Sequence, residues 1–287
     1  MRERPRAETA IARALAPGEH GYPEALRDLK DPPLRLYVRG DAIPAPARAV
    51  AIVGTRTATP YGLRLASRLA ADLAARGIVV VSGLARGVDA AAHEAALASG
   101  GRTLAVIPSA LDRVTPVAHT ALAARIVRSG ALMSEVAEGG PFGRGAFVRR
   151  NRIIAALAGA TVVVEAGEAS GALATAAIAR ALGRAVLAVP GDVDRPGAQG
   201  TLSLLRQGAR PCADAADVLA SLPAAAQASD TPESRLEAAL GSLPRDVTAL
   251  AEASGMPVAD TLARLLRLQW SGIAVAHPGG RWSRRDA

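Results

Sequence analysis

Short apolar runs rich in β-branched residues recur through most of the chain: AVAIV (49–53), IVVVS (78–82), TLAVI (103–107), ALMS (131–134), TVVVE (161–165) and AVLAV (185–189). Ala/Leu-rich stretches with helical spacing fall between them, near 60–75, 88–98, 117–128, 150–158 and 172–182. Several of these stop at a glycine (Gly77, Gly100, Gly130, Gly183), the residue that most readily adopts the left-handed turn closing a helix. Continuously apolar strands that alternate with helices must be buried on both faces, which predicts a parallel sheet covered on each side. The fold class is therefore α/β: a doubly wound, Rossmann-like, mostly parallel sheet of about six strands, an ordinary size.

The pattern changes after residue 220. ASLPAAAQASDTP reads as a linker, and two short helices joined by a glycine turn follow. A longer helix and two strands around PGG complete a winged helix-turn-helix. In the long helix Val258, Leu262, Leu265 and Leu266 are expected on one face, with Asp260, Arg264 and Arg267 opposite. The domain plan is a short arm or remnant helix over 1–20, a Rossmann-like core over 21–220, a linker over 221–232 and a winged helix over 233–287.

Composition narrows the chemistry. The formal charge of +8 suits a polyanionic partner, nucleic acid first. Residues 233–287, with seven basic and six acidic side chains, are nearly neutral, which favours a protein contact there at least as much as a duplex. Lys30 is the only lysine and has no glycine-rich loop before it, so P-loop chemistry is excluded. Cys212 is the only cysteine, which rules out an intrachain disulfide and fits a reducing cytoplasm. No apolar run is long enough to span a membrane, and the N-terminus lacks the apolar core of a signal peptide.

Ligands of open α/β sheets sit beyond the carboxyl ends of the strands, and the unusual residues gather there. VGTR (53–56), SGLARGVDAAAH (82–93), EAGEASGALATA (165–176) and VPGDV (189–193) each place small residues where backbone N–H groups can approach an anion. The dinucleotide fingerprint G-x-G-x-x-G is absent, since Gly54 is followed next by Gly62, and no cofactor is expected. Asp89 and His93 are four apart on one helix face and could act as an acid–base or metal pair. With no third ligand at sensible spacing, the structural alternatives are favoured: Asp89 bracing the helix start and His93 bonding a neighbouring loop. No catalytic or metal-ligating residue is assigned.

On the same edge, after the fourth run, GRGAFVRRNRII (143–154) sets Phe147, one of two phenylalanines, among Arg144, Arg149, Arg150 and Arg152, just before an expected helix. Arginines hold phosphates bidentately, and a ring offers a base a stacking face worth about 1–3 kcal/mol. The alternative is that Phe147 packs under the loop, Arg149 and Arg150 are solvated and Asn151 caps the helix.

Taken together, YPEALRDLKDPPLRLYVRG, IVGTR, SGLARGVDAAAH, MSE, FVRRNRII, VVVEA, SGALATA and VPG, in this order between Tyr22 and Ala209, resemble the DprA/Smf family of DNA-processing proteins. The resemblance implies a non-enzymatic, cytoplasmic, homodimeric protein that protects incoming single-stranded DNA and loads the RecA recombinase onto it in natural transformation or recombination. Matched motif by motif, it implies DNA contacts at Arg56, Ser82, Gly83, Arg144, Phe147, Arg150 and Asn151, with Ser170, Gly171 and Thr175 lining the same pocket. The family's N-terminal helical domain is expected to be cut down to residues 1–20 or lost. Ser109, Ala110, Thr115, His119 and Leu202 depart from the family pattern at places expected to border the crevice. Two other functions remain: a Rossmann-like nucleotide hydrolase of the LOG or lysine-decarboxylase-like kind, and a regulator that reads duplex DNA through the winged helix.

Overall fold

The computed structural model describes residues 12–40, 46–223, 236–237, 239–241 and 244–284, apart from the side chains of Ala47 and Arg144. The chain divides into two compact units, Met1–Gln227 and Ala228–Ala287. Most of the expected linker, from 224 on, lies outside the described residues, as do residues 1–11 and 233–235.

In the first unit the six apolar runs become strands β3 (Ala49–Val53), β4 (Val79–Ser82), β5 (Thr103–Val106), β6 (Ala131–Ser134), β7 (Ala160–Val163) and β8 (Ala185–Ala188). They pair in parallel. Three further strands enlarge the sheet: β1 (Arg13–Leu15), β2 (Leu36–Gly40) and β9 (Arg210–Pro211). The full order is β1-β2-β6-β5-β4-β3-β7-β8-β9. β2 runs antiparallel to β6, and β1 antiparallel to β2. Part of the segment expected to be an arm or remnant helix is thus an edge strand, because Arg13–Leu15 satisfies its backbone against β2. β9 closes the other margin beside β8.

Every residue of β3 is buried, and alternate side chains serve opposite layers. Ala49, Ala51 and Val53 face α4 (Arg144–Leu157), α5 (Gly171–Ala181) and α6 (Gln199–Arg206). Val50 and Ile52 face α1 (Pro60–Ala74), α2 (Val88–Ala98) and α7 (Ala215–Leu219). A third cluster seats α3 (Thr120–Ser129) against Ala105 and Leu132. The lead-in to β2 turns through Glu24–Asp28, where Tyr22 is buried with its hydroxyl donating to the carbonyl of Pro33 at 2.9 Å. The chain builds outward from β3 to β4, β5 and β6, then returns to place β7 on the other side of β3. That reversal opens a crevice between β3 and β7 at their carboxyl ends.

The second unit holds α8 (Val247–Ser254), α9 (Val258–Trp270) and a sheet of β10 (Arg245–Asp246), β12 (Arg281–Arg284) and β11 (Ala274–His277) in that order. Asp246 caps α8 by accepting from Ala249 N at 2.8 Å, and Gly255 ends it at φ +69°. The core gathers Leu236, Leu240, Leu250, Leu265, Leu268 and Trp282. The α9 faces differ from expectation. Thr261, Leu265 and Leu268 point inward, while Val258, Leu262 and Leu266 are exposed. The apolar residues outnumber one stripe, and the helix can rest on only one side.

Candidate functional site

The loop after β3 is fixed from both sides. Thr55 N donates to Glu165 O beyond β7 at 2.7 Å, and Val88 N at the start of α2 donates to Thr55 O at 3.3 Å. Gly54 permits this closeness: a Cβ there would lie 2.6 Å from Val88 Cγ2 and 2.9 Å from Glu165 O. The loop therefore carries Arg56 to the rim of the crevice, where it is exposed.

The loop after β4 turns inward. Ser82 is fully buried and its hydroxyl donates to Ile52 O at 2.6 Å. Asp89, on the first turn of α2, accepts from Gly83 N at 3.1 Å and Ala85 N at 3.3 Å. This is the bracing expected of it. Burial raises the Asp89 carboxyl above its ordinary pKa, and Arg150 together with the loop hydrogen bonds opposes that rise. His93 bonds a strand rather than a loop: its Nδ1 lies 2.6 Å from Thr103 Oγ1 on β5. Between them the two residues hold α2 to the sheet. Among the described residues, no three His, Cys, Asp or Glu side chains gather as metal ligands would.

The arginine-rich stretch is the helix α4 itself, not its approach. Gly143 is the residue before it, and Asn151 lies well inside. Arg150 is buried, with Nη1 donating to Val106 O at 2.6 Å across the space that a Gly83 side chain would fill. Burial lowers its pKa to about 10, against the pull of Asp89, so it stays charged at neutral pH. Asn151 donates to Gly171 O at 3.1 Å and ties α4 to α5. Arg152 makes a two-pronged pair with Glu135 at 2.7 and 2.8 Å, and Arg149, largely exposed, approaches the same carboxylate at 3.7 Å. The backbone of Arg144 opens α4; its side chain lies outside the described residues.

Phe147 is half-buried and points to the rim, where the Arg56 guanidinium carbon sits 4.9 Å from its ring centre. The Phe142 ring lies 6.5 Å from the Phe147 ring, tilted by 59°. Below this pair opens a cavity of about 500 Å³ whose wall includes Arg56, Asp89, Phe147, Arg150, Asn151 and the start of α5. Ser170 caps α5, accepting from Ala172 N at 3.3 Å, and Gly171 and Thr175 line the wall beside it. The structure thus brings Arg56, Phe147, Arg150, Asn151, Ser170, Gly171 and Thr175 around one space, while Ser82 and Gly83 lie behind it.

The departures from the family pattern do not line this cavity. Ser109 and Ala110 are buried, and Thr115 faces a separate groove along α3. His119 Nδ1 donates to Leu84 O at 2.8 Å, which supports a residue held at φ +58°. Glu165 is the structural residue that motif reading passed over. It accepts from Thr59 N and Oγ1 at 3.0 and 2.9 Å and joins β7 to the start of α1. Its signal was an acid at the end of an apolar strand, just before a glycine.

Residues 13–223 match the family model described as DNA recombination-mediator protein A, and residues 220–280 match the DprA winged helix domain. A putative DNA processing protein DprA of Mycobacterium tuberculosis is 43% identical over 249 residues, covering 82% of this chain and 64% of its own length. The chain thus spans a little under two thirds of that relative. A crystal structure of DNA processing protein A from Streptococcus pneumoniae superposes with a TM-score of 0.69 at 34% identity, covering 74% of each chain. DNA processing protein A from Helicobacter pylori, whose structure was studied for its single-stranded DNA binding mode, gives 0.67 at 31% identity, covering 74% of this chain and 96% of that one.

Proposed function

Because the chain belongs to the DNA recombination-mediator protein A family, the DprA/Smf proteins, we propose that it binds single-stranded DNA along the carboxyl edge of its sheet, protects the strand and loads RecA onto it. It does so as a cytoplasmic homodimer and without chemical turnover. The observation that carries this reading is the Arg56–Phe147 pair at the mouth of the cavity, with the guanidinium carbon over the ring at 4.9 Å from its centre. An unstacked base can take the guanidinium's place on the ring, or lie over both, while the cation meets the neighbouring phosphate. Such a site does not read base edges, so it accepts any sequence.

The residues divide by role. Arg56 and Phe147 touch DNA. Gly171 and the first turn of α5 offer backbone donors to a phosphate. Arg150 and Asn151 shape the floor, with Ser82 and Gly83 behind them. Arg144 is assigned to DNA on the family resemblance alone. The likeness to the Helicobacter pylori protein, studied for its single-stranded DNA binding mode, supports the choice of ligand. Against a hydrolase, Asp89 and His93 are already committed to holding α2.

The test is fluorescence anisotropy of labelled oligo-dT across a salt series, beside a duplex of equal length. Phe147→Ala and Arg56→Ala are each expected to weaken single-strand binding by about tenfold or more, with melting temperatures unchanged. The salt slope should flatten for Arg56→Ala. Equal binding by wild type and both variants would reject the site. RecA loading is read separately, as faster filament assembly on strands coated with single-strand-binding protein.

A further inference from the structure

The cavity beneath Phe147 has a neighbour. Beyond the carboxyl ends of β5 and β6, against the first turns of α4, a second cavity of about 370 Å³ is walled by Ile107, Pro108, Val136, Phe142 and Arg149. Arg150 lines both spaces, so the two adjoin. Phe142 is half-buried and borders open space twice, at this cavity and at the groove along α3.

The second cavity holds the same kinds of groups as the first. Apolar walls and an aromatic ring suit the face of a base. Arg149 has 68% of its side chain exposed. Glu135 shares the wall, but Arg152 grips both of its oxygens at 2.7 and 2.8 Å, while Arg149 stays 3.7 Å away. Arg152 compensates that carboxylate, and Arg149 keeps a charge to offer a phosphate. Between the two rings in the chain comes the start of α4, where Gly143 supplies no side-chain cap. The amides of that first turn are left for an anion. A Cβ at Gly143 or Gly145 would meet nothing within 4 Å, so packing requires neither glycine, and both leave the backbone bare.

The spacing of the rings decides what fits. Their centres lie 6.5 Å apart with planes tilted by 59°. Neighbouring bases in a stacked strand are about 3.4 Å apart and nearly parallel. Two bases laid on these rings are therefore unstacked from each other, a step that a duplex does not present.

On the footing of the single-strand reading above, we infer that Phe142 is a second stacking platform. Successive bases of one strand occupy Phe147 and Phe142, with the phosphate between them at the start of α4 and the next one at Arg149. The unstacked step across the two rings favours a single strand over a duplex.

Anisotropy competition against the full chain with a thymidylate ladder, from the mononucleotide upward, tests it. Wild-type affinity is expected to climb steeply once the strand reaches both rings. Phe142→Ala should remove that climb, weakening long strands by about tenfold and leaving the mononucleotide and duplex unchanged. Phe142→Trp should keep the climb. Phe142→Leu, which retains apolar bulk without an aromatic face, should behave as the alanine variant does. Arg149→Ala should lower the salt slope by about one. Phe147→Ala, run alongside, separates the two readings. If it weakens every length while Phe142→Ala matches wild type, the second platform is overturned and the single-strand site stands. If neither variant loses affinity, the site itself falls and the platform with it. An equal loss from Phe142→Ala at every length, or wild-type binding by Phe142→Leu, also overturns the platform, because the ring would then only buttress Phe147.

Discussion

His93 is fully buried, and the direction of its hydrogen bonds fixes its protonation. Thr103 Oγ1 donates to Val80 O at 2.7 Å, so it accepts from His93, whose Nδ1 carries the proton. Nε2 is left as a buried lone pair without a partner. Burial, with Arg150 and His119 nearby, lowers the His93 pKa to about 3. Between that value and 6.5 the unfolded chain binds a proton that the folded one refuses, so stability rises with pH across this window. Unfolding free energy should therefore fall as pH drops from about 6.5 toward 3, and His93→Asn, which keeps a donor at the Nδ1 position, should flatten that slope in urea titrations at several pH values. Arg150 is buried too, and unlike His93 it keeps its charge. Arg150→Met should lower unfolding free energy by about 3–5 kcal/mol, because Asp89 loses a compensating cation. Gly83→Ala, which displaces the same guanidinium, should cost little more once Arg150 is gone, a non-additivity that a double-mutant cycle measures. At this scale the sequence marked Arg56 by its place after a strand, and Phe147 by its place and by the scarcity of phenylalanine. It did not mark the burial of Arg150, because the acid that compensates it is far away in the chain and meets it only through the sheet.

The six central strands were readable because each is buried on both faces and so is apolar without interruption. β2, as LYVRG, alternates between core and rim, and β1 and β9 are too short to show any period. The start of α4 was hidden for a related reason: Arg144, Gly145 and paired arginines look like loop, yet Ile153, Ile154 and Leu157 anchor the helix that extends back through them. α9 was legible as a helix, but the choice of buried side depends on what it packs against. Element junctions carry their own prediction. Gly54→Ala should destabilise the core by about 1–3 kcal/mol through overpacking, since α2 and the end of β7 both approach it. It should also weaken single-strand binding by moving the loop that bears Arg56. Equilibrium unfolding and anisotropy on the same variant test both.

In the whole molecule, the residues around the cavity all come from the first unit, between Val53 and Thr175. A chain ended after residue 223 should accordingly keep the oligo-dT affinity and salt slope of the full protein when measured at low occupancy, and lose only what depends on copies acting together. Among the described residues no helix is long and apolar enough to cross a membrane. The outermost strand beside β8 has one more effect. β9 is two exposed residues long and one of them is Pro211, which has no N–H to offer. A strand arriving at that margin finds almost no ladder to extend. A foreign strand therefore gains almost no hydrogen bonds by adding to β9, and that margin is guarded against edge-to-edge aggregation of the kind that leads to amyloid.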